Sequence, residues 1–129
     1  MVNNSGRPMK INWDDISYAD TRGNVGRVMH AGVKYIDRNS SQPATTIPQG
    51  KSLSDILIPT NNVHWQQGNS LVAGGWVKDY LIPCVYKNKE AFRQYAHENV
   101  GKTLTIMMPL VIDGVQNDYV FTFNIEKLL

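Results

Sequence analysis

Cysteine is nearly missing from this chain: its 129 residues hold one, Cys84. A single thiol excludes an internal disulfide framework and any zinc site made only of cysteines. Excess charge is also lacking. Thirteen Lys and Arg stand against eleven Asp and Glu, a net charge of +2, and without clustering that is too weak for a nucleic-acid footprint. No apolar run approaches the ~20 residues needed to cross a bilayer; the longest, residues 106–112, falls far short. Residues 1–10 have no apolar segment of the kind a secretory signal carries. Taken literally the protein is cytoplasmic, whereas a precursor shortened ahead of residue 1 would make it periplasmic or attached to a cell envelope. Residues 1–8 are set apart as disordered or foreign to the domain.

Hydrophobic residues make up 42% of the chain and charged ones 19%, which excludes a charge-driven disordered polypeptide. The length suits one domain, residues 1–129, large enough to bury roughly 68% of its unfolded surface without staples. Pro and Gly punctuate the first two thirds, as expected for short strands joined by turns. Met9, Ile11 and Trp13 alternate with polar neighbours and predict a strand with one buried face. Residues 17–26 read as a loop and 27–36 as a strand whose cleaner apolar face holds Met29, Ala31, Val33 and Tyr35. Residues 45–47 form a short extended piece. Residues 53–58 read as a strand stopped by Pro59, residues 61–75 as the least regular stretch, and 76–86 as β-favouring with an interruption at Pro83.

One helix is predicted over residues 89–99. Asn88 is its N-cap, Phe92, Tyr95, Ala96 and Val100 form an apolar stripe, and Gly101 stops it. Beyond it, Asp113-Gly114 is a type I′ turn dipeptide between two long β-type runs. A two-residue turn opposes Ile112 to Val115, and the register then opposes Leu110 to Asn117, Met108 to Tyr119, Ile106 to Phe121 and Leu104 to Phe123. Pro109 falls at a non-hydrogen-bonded pair, so its missing donor requires an edge or a bulge on the strand's other side. Short strands at intervals of roughly ten residues, with a single helix, predict a mainly β protein: an antiparallel Ig-like β-sandwich with one short helix before a C-terminal hairpin.

Several motifs carry chemistry elsewhere. Residues 96–103, Ala-His-Glu-Asn-Val-Gly-Lys-Thr, satisfy a permissive phosphate-loop pattern. That pattern works only where a loop opens a helix, and here it would straddle a helix end, where free carbonyls repel phosphate. Gly23-Asn24-Val25-Gly26 resembles a KH-type backbone clamp but precedes a strand, so a plain turn is expected. Cys84 with His30, His64 or His97 is the conceivable nucleophile pair, yet Cys84 sits among apolar residues that suit an inert thiol. The histidines have no metal-ligand spacing, and no metal or cofactor is expected. Asp14, Asp15 and Asp20 lack the series of a calcium loop. Asn3-Asn4-Ser5 and Asn39-Ser40-Ser41 match a short glycosylation pattern. Trp65, Trp76 and Tyr80 border the glycine-rich irregular stretch, where loop aromatics can form a platform for a sugar or peptide. The plain alternative is that the tryptophans plug the domain.

Asn3-Asn4-Ser5, Ile11-Asn12-Trp13, Ser17-Tyr18-Ala19-Asp20, Arg27-Val28-Met29-His30, Gly32-Val33-Lys34-Tyr35 and Ile47-Pro48-Gln49-Gly50 recur as a series, with Ile58-Pro59 and Gly75-Trp76. Over residues 3–83 the chain resembles the globular part of small uncharacterised bacterial envelope lipoproteins. The resemblance implies an Ig-like domain in the envelope, with any lipid anchor outside this chain, and brings no activity. The expectation is a non-enzymatic envelope domain making protein or ligand contacts. The alternatives are a carbohydrate- or peptide-binding module using Trp65, Trp76 and Tyr80, and an enzyme with a Cys/His site. Solvent-facing aromatic rings favour the module, and buried rings the plain scaffold.

Overall fold

A computed structural model describes residues 1–82 and 88–126. Cys84 and the second half of the 76–86 stretch fall largely outside those residues. The described chain is mainly antiparallel β: β1 (Met9–Ile11), β2 (Ser17–Ala19), β3 (Val25–His30), β4 (Thr45–Ile47), β5 (Leu57–Pro59), β6 (Val63–Gln66), β7 (Gly75–Lys78), β8 (Thr103–Ile112) and β9 (Val115–Asn124). One α-helix, α1 (Lys89–Asn99), precedes the β8–β9 hairpin. The Asn88 side chain accepts from the Ala91 amide at 2.8 Å, and Gly101 takes φ +88° just past the helix end. That helix is not long and apolar enough to cross a membrane.

β8 is the spine. β9 pairs along one whole edge in the register read from the turn, from Ile112 opposite Val115 to Thr103 opposite Asn124. Asp113 and Gly114 have φ +53° and +75°, as a type I′ turn requires. The other edge of β8 is shared: β1 pairs with residues 110–112 and β2 with residues 105–107. Between them the chain makes a 3₁₀ turn, Trp13–Asp15, opposite Met108 and Pro109. Pro109 therefore stands where no ladder bond is made, and its expected bulge is this turn. β4 pairs with the outer edge of β1, β3 with that of β2, and β5 with β3. β6 and β7 form a separate two-stranded hairpin.

The core draws Met9 and Ile11 from β1, Tyr18 from β2, Val28 from β3, Ile47 from β4, and Met108 and Leu110 from β8 around Trp13 and Ile16. Both branches of the sheet thus feed one cluster. Trp13 ties them together. Its Nε1 donates to Thr45 Oγ1 at 2.8 Å, and its ring stacks on His30 with centroids 4.3 Å apart.

Several expectations are corrected. Residues 17–26 are not one loop but the β2–β3 hairpin, because the Asp20 carboxylate accepts the Arg22 and Asn24 amides, each at 2.9 Å, and fixes a tight turn. The strand expected over 27–36 ends at His30; Gly32, at φ +93°, turns the chain into a 3₁₀ turn at Tyr35–Asp37. Its neighbouring Val28 and Met29 are both buried, so both faces of β3 are covered and alternation fails there. Within 53–58 the ladder with β3 holds only the far end, where β5 includes Pro59 itself, and the near end instead meets the N-terminus through Leu53 and Met1. Within 61–75, residues 63–66 form the regular strand β6. The Phe121 and Phe123 rings face the buried side of β8, yet β9 is exposed along its whole length.

Residues 1–8 make specific contacts. The Asn3 amide donates to Lys51, the Leu53 amide to Met1, and the Met1 ammonium to the Leu53 carbonyl at 2.7 Å. Asn3 is only 2% exposed. Its Nδ2 donates to the Arg7 and Ile47 carbonyls, and its Oδ1 accepts from the amide and hydroxyl of Ser5.

Candidate binding site on the β6–β7 hairpin

A tight tip shapes this hairpin. Asn69 Oδ1 accepts the Leu71 and Val72 amides, each at 2.8 Å, and the Asn69 amide donates to Val72 at 2.8 Å. The turn satisfies its own backbone, so Leu71 and Val72 project into solvent. Gly68 makes this closure possible: a Cβ there would lie 2.2 Å from the Gly74 nitrogen. At Gly74 a Cβ would come within 3.0 Å of the Trp65 ring, so the second glycine is the seat of that indole.

The register opposes Trp65 directly to Trp76. Directly opposed residues share a face, and the two rings meet edge to face with centroids 5.5 Å apart. Trp76 is the inner, half-buried member. The Tyr35 ring meets it at 6.3 Å, edge on, and the Arg38 guanidinium lies 5.0 Å from its ring centroid. That cation–π contact joins the hairpin to the Tyr35–Asp37 turn. Trp65 is the outer member and is 51% exposed. Tyr80, two residues past β7, is 67% exposed, and its carbonyl accepts from Asn62 Nδ2 at 3.2 Å.

Of the three aromatics singled out in the sequence, the structure brings Trp65 and Trp76 together. The described ring contacts complete that pair with Tyr35 and Arg38 rather than with Tyr80. Tyr35 and Arg38 were missed because Tyr35 reads as a strand residue and both lie some forty positions from Trp76. None of the three is buried, so the tryptophan that plugs the domain is Trp13 instead. Beside Trp76 lies a cleft of about 280 Å³ lined by Gln66, Gln67, Asn69, Val72 and Val77. Amides beside an indole supply donors and acceptors next to an apolar ring face, which is the usual composition of a small-ligand site.

The other motifs fall to structural roles. Asp14 accepts from Arg27 at 2.6 Å, from Ser41, and from the backbone and side chain of Gln42. Burial pushes its carboxyl up, but the Gln42 and Ser41 hydrogen bonds and the Arg27 charge outweigh that and hold it below the ordinary carboxylate range. Asp20 is held low in the same way: burial raises it, and the Asn24 and Arg22 contacts more than compensate. His30 is tethered to Asp55 at 3.2 Å beside a cavity of about 190 Å³, His64 faces Asp79 at 3.4 Å, and His97 lies near the end of α1. No group of three metal-ligating side chains occurs among the described residues. The phosphate-loop match straddles the C-terminus of α1, and the Gly23–Gly26 match is the β2–β3 turn.

No protein-family model matches the chain, and no curated protein or solved structure is significantly similar to it.

Proposed function

We propose that the chain is a non-enzymatic binding domain that takes a carbohydrate or a peptide at the Trp65–Trp76 edge of the β6–β7 hairpin. The observation that carries this reading is the half-exposed Trp65 ring, held edge-on against a Trp76 that Tyr35 and Arg38 immobilise. A large exposed ring costs little entropy when its neighbours already fix it, and that favours binding. The adjoining Gln66, Gln67 and Asn69 supply polar groups that would orient a ligand.

No reaction is assigned, since the described histidines sit on separate elements and two of them are engaged by their own carboxylates. The scaffold is read further as an Ig-like sandwich, because the core draws on both the β1–β4 ladder and the β2–β3–β5 ladder. The resemblance of residues 3–83 would set the domain in a bacterial envelope.

The test is a panel of oligosaccharides and peptides followed by tryptophan fluorescence. One class should shift the emission. Trp65→Ala should abolish the shift and leave Tm nearly unchanged. A large fall in Tm would make Trp65 a structural residue and remove the reading.

A further inference from the structure

We propose that β9 is a dimerisation edge: two copies pair β9 with β9, antiparallel, about a twofold axis through Phe121. The inference is independent of the hairpin site.

The sheet's other outer strands are blunted. β4 and β5 are three residues long, and β5 ends in Pro59. Short edges and proline are the usual protection against unwanted pairing. β9 has neither device. It runs ten residues, is exposed throughout, and holds a single ionised side chain, Asp118. Its inner edge is fully paired to β8. Because Ile112–Val115 closes the two-residue turn as a hydrogen-bonded pair, the amides and carbonyls of Asp118, Val120, Thr122 and Asn124 point outward. No partner strand meets that edge among the described residues.

The side chains argue for a second copy. Tyr119, Phe121 and Phe123 share one face and are 43%, 42% and 54% exposed. An antiparallel pair centred on Phe121 opposes Phe121 to itself and Tyr119 to the other copy's Phe123. Those are non-hydrogen-bonded pairs, where opposed side chains come closest. All six rings then find an aromatic partner. On the other face Val120 meets Thr122 and Asp118 meets Asn124, so no like charges oppose. Fully covered rings bury ~150–250 Å² each, so six half-exposed ones bring roughly 450–750 Å². Backbone and Val120–Thr122 contacts add to that, giving a small interface below the ~1,200–2,000 Å² of a standard one and hence a concentration-dependent dimer. Once paired, each β9 edge is used up, so the assembly closes as a dimer and does not grow.

Sedimentation velocity of the full chain from micromolar to sub-millimolar concentration tests this. The expected species is a dimer. Val120→Lys places a charge on an exposed position whose backbone groups point away from β8, so far-UV circular dichroism should be unchanged while dimerisation weakens ~tenfold or more, a factor worth ~1.4 kcal/mol. In a Cys84→Ser background, Phe121→Cys should cross-link on mild oxidation and Val115→Cys should not. A monomer at every concentration, a dimer indifferent to Val120→Lys, or a dimer that Phe121→Cys fails to trap would each overturn the proposal.

Discussion

Replacing Asn3 by Ala strands the Arg7 and Ile47 carbonyls that its side chain serves, the second bond being buried. The expected loss is about 1–3 kcal/mol, the cost of leaving buried polar groups unpaired, while Asn4→Ala, at an exposed neighbour, should stay within about 0.5 kcal/mol. Urea melts of the two variants check this. In sequence the tripeptide reads only as a glycosylation pattern, because nothing local reveals that residue 3 will meet residue 47. Tyr18 is the converse case. Its hydroxyl is buried with no hydrogen-bond partner among the described residues, and burial, helped by the Asp20 charge, pushes its ionisation up. Tyr18→Phe removes an unsatisfied group and should leave stability unchanged or raise it; a loss above about 1 kcal/mol would reveal a bond at that oxygen. Asp14 and Asp20 set the acid limb. Both carboxyls are lowered by folding, so each stabilises the fold fully above the unfolded value of about 4 and loses that contribution as pH falls through its lower folded value. Asp14→Asn should therefore narrow its stability deficit below about pH 4, and a deficit constant with pH would contradict the assignment.

At the scale of elements, legibility followed length and locality. The β8–β9 hairpin and α1 were readable because a turn dipeptide, a cap and a long periodic run lie within a few residues of one another. Gly114→Val should cost more than about 1 kcal/mol, since a β-branched residue is strained at the observed φ of +75°. Thr122→Ala should cost little. Phe121→Ala should cost about half of the ~3–5 kcal/mol seen for a buried Phe, because its ring is only partly covered in one copy. Chemical denaturation at dilute protein measures all three, and a Phe121 loss of full core size would show that β9 is covered. Of the three-residue strands, β1 and β4 were readable as extended segments, β1 from the alternation of Met9, Ile11 and Trp13, whereas β2 read as loop and β5 was displaced. So short a segment barely shows a period, and the pairing of all four is decided by partners far along the chain, as when Ile11 meets Leu110. Pro109 is a middle case: its position required a gap on one side of β8, but only the Trp13–Asp15 turn shows what fills it.

For the whole molecule, the mainly β class with one helix before a hairpin was legible, while the branching of the sheet around Trp13 was not. The candidate site divides the same way. Trp65 and Trp76 stand out as aromatics in a glycine-rich stretch, whereas Tyr35 and Arg38 join them only through the fold. The three tryptophans therefore have different fates: Trp13 is in the core, Trp76 is half-buried, and Trp65 faces solvent. Three indole N–H resonances in a ¹H–¹⁵N spectrum report on them separately. Titration with the responding oligosaccharide or peptide should move the Trp65 and Trp76 signals together and leave Trp13 in place. Movement of Trp13 alone, or no movement of Trp65 with any member of the panel, would contradict the assignment of the β6–β7 hairpin as the binding surface.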